Sequence, residues 1–196
     1  LSRALEIIST RKAHARAREE QQIQLLKAAS LLQDREFSQL LEREGSSFTP
    51  IITINNDMDF AGMSLMLVKI HDMGNLVKRY GHDMNLLSYS VKKEIRRCLK
   101  SDAPFVFNHI YRPNEFAIVS ELDNRELTDK ARYLMVQLKP LLQSTITIML
   151  SGHSYSMDSI HEAYIQDISM LMTRTYTPED VLLVPGRSGI SGGNRN

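Results

Sequence analysis

The sequence predicts an α+β fold: a sheet of about five strands with helices packed on it, preceded by a long N-terminal helix. Three observations predict it. The first 44 residues hold no glycine or proline and are dominated by Ala, Leu, Glu, Gln, Lys and Arg, all strong helix formers. After residue 60, short apolar or aromatic runs alternate with stretches whose apolar residues recur every three or four positions. Two of the short runs flank a Pro-Asn pair, which marks a β-hairpin.

The elements follow in order. In residues 1–44, Leu1, Leu5, Ile8, Ala15, Leu25, Leu26, Ala29 and Leu32 draw a narrow stripe broken by Lys12, Glu19 and Gln22. That is a weak coiled-coil seam, and a solvated linker helix and a parallel dimer stalk both remain open. Gly45-Ser46-Ser47 ends the helix. Phe48–Asn55 reads as a short strand, and Ser64–Ile70 as a central strand buried on both faces. Asn75–Tyr80 is a short helix closed by Gly81. Asn85–Lys100 is amphipathic through Leu86, Leu87, Val91, Ile95 and Leu99. Phe105–Tyr111 and Phe116–Val119 form the hairpin around Arg112-Pro113-Asn114-Glu115. Asp123–Leu142 is a helix, Thr145–Leu150 a strand, Asp158–Thr173 a helix and Val181–Val184 a final strand. The order after residue 60 is β-α-α-β-β-α-β-α-β. Three regions result: an N-terminal signalling or linker helix (1–44), a domain (45–185) and a Gly/Ser/Asn-rich tail (186–196) expected to be disordered.

Composition narrows the function. With 24 Lys+Arg against 23 Asp+Glu, the chain has a formal net charge of +1 and lacks the basic excess of a general nucleic-acid binder. The single cysteine, Cys98, cannot close an intramolecular disulfide. Neither C-x-x-C nor H-E-x-x-H occurs, so no familiar metal site is expected. The longest uncharged apolar stretch, Ala61–Val68, is far short of the ~20 residues that span a bilayer. Without a starting Met or a signal-peptide core, the chain reads as a soluble piece of a longer protein.

The element order resembles the GGDEF family, the diguanylate cyclase domains related to the nucleotidyl cyclase and polymerase palm folds. Four segments carry the resemblance. Leu31-Leu32-Gln33-Asp34-Arg35-Glu36-Phe37 is similar to the family's L-x-N-R-x-x-F. Tyr80-Gly81-His82-Asp83 matches the G-H-D after its first metal motif. Arg112-Pro113-Asn114-Glu115-Phe116 falls where the family carries G-G-[DE]-E-F. Asp167-Ile168-Ser169-Met170-Leu171-Met172-Thr173-Arg174 is similar to D-x-A-L-Y-x-A-K. Together they span about residues 27–185.

The departures bear on chemistry. By the resemblance, the first metal-binding Asp falls on Lys69 and the next on His71. The guanine-recognising Asn and Asp fall on Val77 and Leu86. The signature glycines become Arg112 and Pro113, and the acidic metal ligand becomes Asn114. Two Mg²⁺ ions need carboxylate oxygens, and Lys69 sets a positive charge at a cation's place. Arg112 and Pro113 remove the room that glycine leaves for phosphate. The family's inhibitory R-x-x-D, expected near Ala103-Pro104-Phe105-Val106, occurs nowhere in the chain.

The resemblance therefore implies a catalytically inactive GGDEF-like signalling or scaffold module. It would be a bacterial cytoplasmic domain or the cytosolic region of a membrane-anchored regulator, acting through dimerisation by its N-terminal helix and through a protein partner. No cofactor, metal, nucleic acid or membrane insertion is expected, and nucleotide binding is expected to be weak or absent. The alternative is a cyclic di-GMP or GTP receptor controlling biofilm or exopolysaccharide production, with Lys69, Lys78, Arg112 and Arg174 meeting phosphate. Among other candidates, Glu115 reads as a turn residue, Asp72 as a lone carboxylate out of register for metal, and His82 as a helix-terminus residue. Cys98 reads as a structural thiol, Arg174 as a helix cap, and Met63, Met66, Met149, Met170 and Met172 as core filler.

Overall fold

A computed structural model describes residues 2–42, 62–100, 105–151, 159–173, 179–184 and 190–191, with side chains in the first helix described for His14 and 16–42. The elements are α1 (Ser2–Glu42), β1 (Ser64–Ile70), α2 (Met73–Arg79), α3 (Met84–Leu99), β2 (Phe105–Asn108), β3 (Glu115–Ser120), α4 (Asn124–Leu142), β4 (Ile146–Leu150), α5 (Ile160–Thr173), β5 (Val181–Leu183) and β6 (Ile190–Ser191). The expected strand at Phe48–Asn55 lies outside the described residues, as do Arg174 and the side chains of Leu5, Ile8 and Met172.

The sheet runs β2-β3-β1-β4-β5-β6. β1 is central and antiparallel to β3 and β4, and β4 pairs parallel with β5. The alternation of β1 explains the layering, because successive side chains leave opposite faces of a strand. Met66, Val68 and Ile70 face a core shared with Leu76, Leu87, Val91, Ile95, Leu134 and Leu138 from α2, α3 and α4. Leu65 and Leu67 face Phe37, Leu41, Ile160 and Tyr164 from α1 and α5. A strand covered on both sides has no polar face, as the run Ser-Leu-Met-Leu-Val-Lys-Ile shows.

Helix ends follow local chemistry. Asp83 caps α3 by accepting from the amides of Asn85 and Leu86, and Asp123 caps α4 by accepting from Arg125 and Glu126. Arg79 donates to the Leu141 and Leu142 carbonyls, which α4 leaves unpaired at its C-terminus, and so ties α2 to α4. The tail differs from its compositional reading at one point. Ile190–Ser191 adds a two-residue antiparallel pair along β5, whose outer edge would otherwise lack a partner strand.

α1 belongs to two environments. Its residues 16–29 are exposed, as expected of a stretch charged on most sides, while Asp34, Phe37, Ser38, Leu40 and Leu41 are buried against the sheet and α5. Phe37 stacks on Phe107 of β2 with ring centroids 4.0 Å apart.

Candidate functional site

The β2–β3 hairpin carries the site, and its turn is built from its own polar groups. The Arg112 amide donates to the His109 carbonyl and the Glu115 amide to the Arg112 carbonyl. The Asn108 side-chain amide donates to the carbonyls of Pro113 and Glu115, bracing the turn from inside. Asn114 spends its side chain on the neighbouring strand: Nδ2 donates to the Ile70 carbonyl at 3.0 Å, while the Ile70 amide donates to the Asn114 carbonyl. The turn is thereby docked on the end of β1.

Glu115 is no turn residue. It opens β3, directly opposite Lys69 on β1, and its side chain is buried. The antiparallel register that pairs Ser64 with Ser120 also pairs Lys69 with Glu115, and it carries both side chains to the α1/α5 face. Lys69 Nζ lies 3.0 Å from Glu115 Oε1. The second carboxylate oxygen accepts a 3.0 Å hydrogen bond from the Tyr164 hydroxyl of α5. Arg112 donates to that hydroxyl, sits 5.8 Å above the Tyr164 ring and lies 3.9 Å from Glu115 Oε2.

The outer part of the network is closed by α1. Arg112 Nη1 is 2.9 Å from Glu42 Oε1, and His109 Nε2 is 3.0 Å from the same oxygen. Burial pushes His109 below its ordinary pKa against the pull of Glu115 and Glu42, favouring the neutral ring. Burial, reinforced by the Glu115 charge, pushes Tyr164 up, so its hydroxyl stays protonated and donates. Two cations and two carboxylates thus face each other, and each charge has an opposite neighbour. Lys69 and Arg112, two of the four residues read as phosphate contacts, are brought together on Glu115. Lys78 is exposed on α2, away from this network, and Arg174 is not described.

The positions that the resemblance assigns to guanine carry apolar side chains. Val77 packs against the core, and Leu86 is exposed on α3, on the wall of a groove of about 570 Å³ between α1 and α3. The groove floor carries Ser30, Asp34 and Lys92, and its walls include Ile23, Leu31 and Tyr89. Asp72 precedes α2 in a left-handed conformation and is exposed, and His82 lies in the turn between α2 and α3. Cys98 is buried and its thiol is pushed up to about 11, first by that burial and then by Glu94. Met66 and Met149 are core residues, while Met170 is exposed. Among the described residues, no three His, Cys, Asp or Glu side chains converge as a metal site, and no helix is long and apolar enough to cross a membrane.

Residue-level reading of the sequence missed Glu42, His109, Tyr164 and the buried pair Asp34–Lys92. Tyr164 had a signal: a polar aromatic among the apolar positions Ile160 and Ala163 of α5 needs a buried partner. Glu42 and Lys92 had none, since their partners are 58 or more residues away.

No protein-family model and no curated protein sequence matches this chain. Among solved structures, it is similar to a diguanylate cyclase/phosphodiesterase from Caldicellulosiruptor saccharolyticus. The two share 17% identity at a TM-score of 0.45, over 65% of this chain and 79% of that one. It is also similar to the S helix-GGDEF-EAL region of Vibrio cholerae LapD bound to cyclic di-GMP, at 13% identity and a TM-score of 0.42, over 91% of this chain and 42% of that one. The chain thus spans less than half of the LapD region, and both likenesses are partial superpositions at low identity.

Proposed function

We propose that this chain is a catalytically inactive GGDEF-like module that signals or scaffolds through dimerisation and protein partners. The observation that carries the reading is the Lys69–Glu115 pair. At the place that the resemblance gives to a metal-binding Asp stands an ammonium, and it neutralises the remaining signature carboxylate at 3.0 Å. A divalent cation entering there would meet a fixed positive charge and would have to displace it from a buried carboxylate. The other former ligand position, Asn114, has its amide engaged by Ile70. A neutral amide is also a poor substitute for a carboxylate toward Mg²⁺.

Incubation of the protein with GTP and Mg²⁺ or Mn²⁺ tests the reading. No cyclic di-GMP above a buffer blank is expected. Turnover that disappears in Glu115→Ala would show that the hairpin is a working active site.

A further inference from the structure

β2 is an edge strand, so half of its backbone groups face away from β3. These groups are met by side chains in an ordered series. The Val106 carbonyl accepts from Arg96 of α3. The Asn108 amide donates to Asp34 Oδ1 at 2.9 Å, and the Ile110 amide donates to Ser38 Oγ at 3.0 Å. One helical turn further on, Glu42 reaches Arg112. The helix residues are four apart and the chain positions they meet are two apart. Only Asn108 lies in β2, and Ile110 and Arg112 belong to the bend that follows it, so α1 meets the end of the edge strand and then the hairpin turn, with four helical residues, a rise of about 6.0 Å, per contact. α1 thereby follows the outer side of the hairpin from the end of β2 into its turn.

A ladder with that repeat admits more than one seating, because a shift by one turn brings another side chain to each amide. Ser30, one turn before Asp34, continues the polar line. One rung differs from the rest. Asp34 takes both of its oxygens to Lys92 Nζ, at 2.8 and 2.7 Å, while also accepting from Asn108, and both charged side chains are about 4% exposed. Burial pushes Asp34 up and Lys92 down, each opposed by the attraction of the other. Lys92 Nζ also donates to Ser30 Oγ at 2.6 Å, so a one-turn move that carries Ser30 into the Asp34 seat leaves the buried ammonium without its carboxylate, while the opposite move gives up the two-oxygen contact and leaves Asp34 only the place of Ser30. Buried ion pairs of this kind add little net stability over apolar side chains of equal volume, and their best-attested use is to specify register.

We propose that Asp34–Lys92 is a register lock: it fixes where α1 sits along the outer side of the hairpin, and so where Glu42 holds Arg112 against Glu115. The claim rests on this geometry alone and stands whether or not the hairpin binds a nucleotide.

Amide hydrogen exchange on the full chain tests it through Ile110, whose acceptor Ser38 is not altered by changing the lock. In the double variant Asp34→Leu with Lys92→Met, the chain is expected to stay folded, with a denaturation midpoint lowered only modestly by the loss of the acceptor for the Asn108 amide. Ile110 is then expected to exchange about tenfold faster or more, because the helix is free to leave its seat. Ser38→Ala, which removes one rung and keeps the lock, should accelerate Ile110 and leave Asn108 unchanged. Wild-type protection of Ile110 in the double variant would assign the register to Phe37 and Leu41 instead. Loss of folding there, or acceleration of Asn108 in Ser38→Ala, would equally overturn the proposal.

Discussion

Lys69 shows how one side chain changes what a hairpin can do, because its charge is answered within the fold. Breaking a buried pair leaves an uncompensated charge, whereas removing both charges often has little net effect. Lys69 is about one-fifth exposed and Arg112 stands nearby, so Lys69→Met is expected to lower stability by roughly 2–3 kcal/mol. Adding Glu115→Gln should recover part of that loss, as read from urea midpoints. Asp167 is the opposite case. It is buried, its Oδ2 has no hydrogen-bond partner among the described residues, and burial pushes its pKa up from 3.8 to about 7, with the Ser151 hydrogen bond pulling it down. A carboxyl raised on folding favours the folded state most when protonated. That stabilisation is complete below about pH 4 and is lost as pH rises through about 7, by at most ~4 kcal/mol. Asp167→Asn should therefore gain stability over the wild type at pH 8 and much less at pH 4.5. Equal differences at the two pH values would contradict the buried-carboxyl assignment.

At the scale of the element, α1 is seated from Asp34 onward and exposed over residues 16–29. Its last turns are held by Phe37, Leu40, Leu41 and the polar ladder, whereas Leu25 and Leu26 are about two-thirds exposed. Long helices without a packed face gain little from propensity alone, so contact between copies at this stretch is the expected source of further support. A weak, concentration-dependent dimer is expected, and Leu25→Gln with Leu26→Gln should weaken it. Sedimentation equilibrium decides the matter, since a monomer at all accessible concentrations would reduce the helix to a linker. The elements themselves were legible in the sequence because each is a local pattern. Leu87, Val91 and Ile95 repeat at the helical period, Asp83 and Asp123 are caps, and Ser64–Ile70 is a continuous apolar run. What the sequence hid in α1 is that its apolar stripe changes partner near Asp34. Nothing local separates a Leu facing solvent at position 26 from one buried at position 41.

At the scale of the whole molecule, the site was half legible. The hairpin and its turn follow from residue order, and the resemblance assigns Lys69 and Asn114 to positions where that family carries acidic ligands. That Lys69 lies opposite Glu115 depends on the β1–β3 register, and the additions of Glu42, Tyr164 and His109 depend on how α1 and α5 cross the same sheet face. These are tertiary facts, set by packing among residues far apart in the chain. The assembled network satisfies its charges internally, and outside it apolar Val77 and Leu86 stand where the resemblance would place guanine-binding groups. A dinucleotide would therefore lack polar partners for its bases and would compete with Glu42 and Glu115 for the cations, each missing charged hydrogen bond being worth about 1.5–3 kcal/mol. Calorimetric titration of the protein with cyclic di-GMP and with GTP at physiological salt tests this most directly. Dissociation constants of about a millimolar or weaker are predicted for both, whereas a constant near or below a micromolar that is lost in Arg112→Ala would contradict the account.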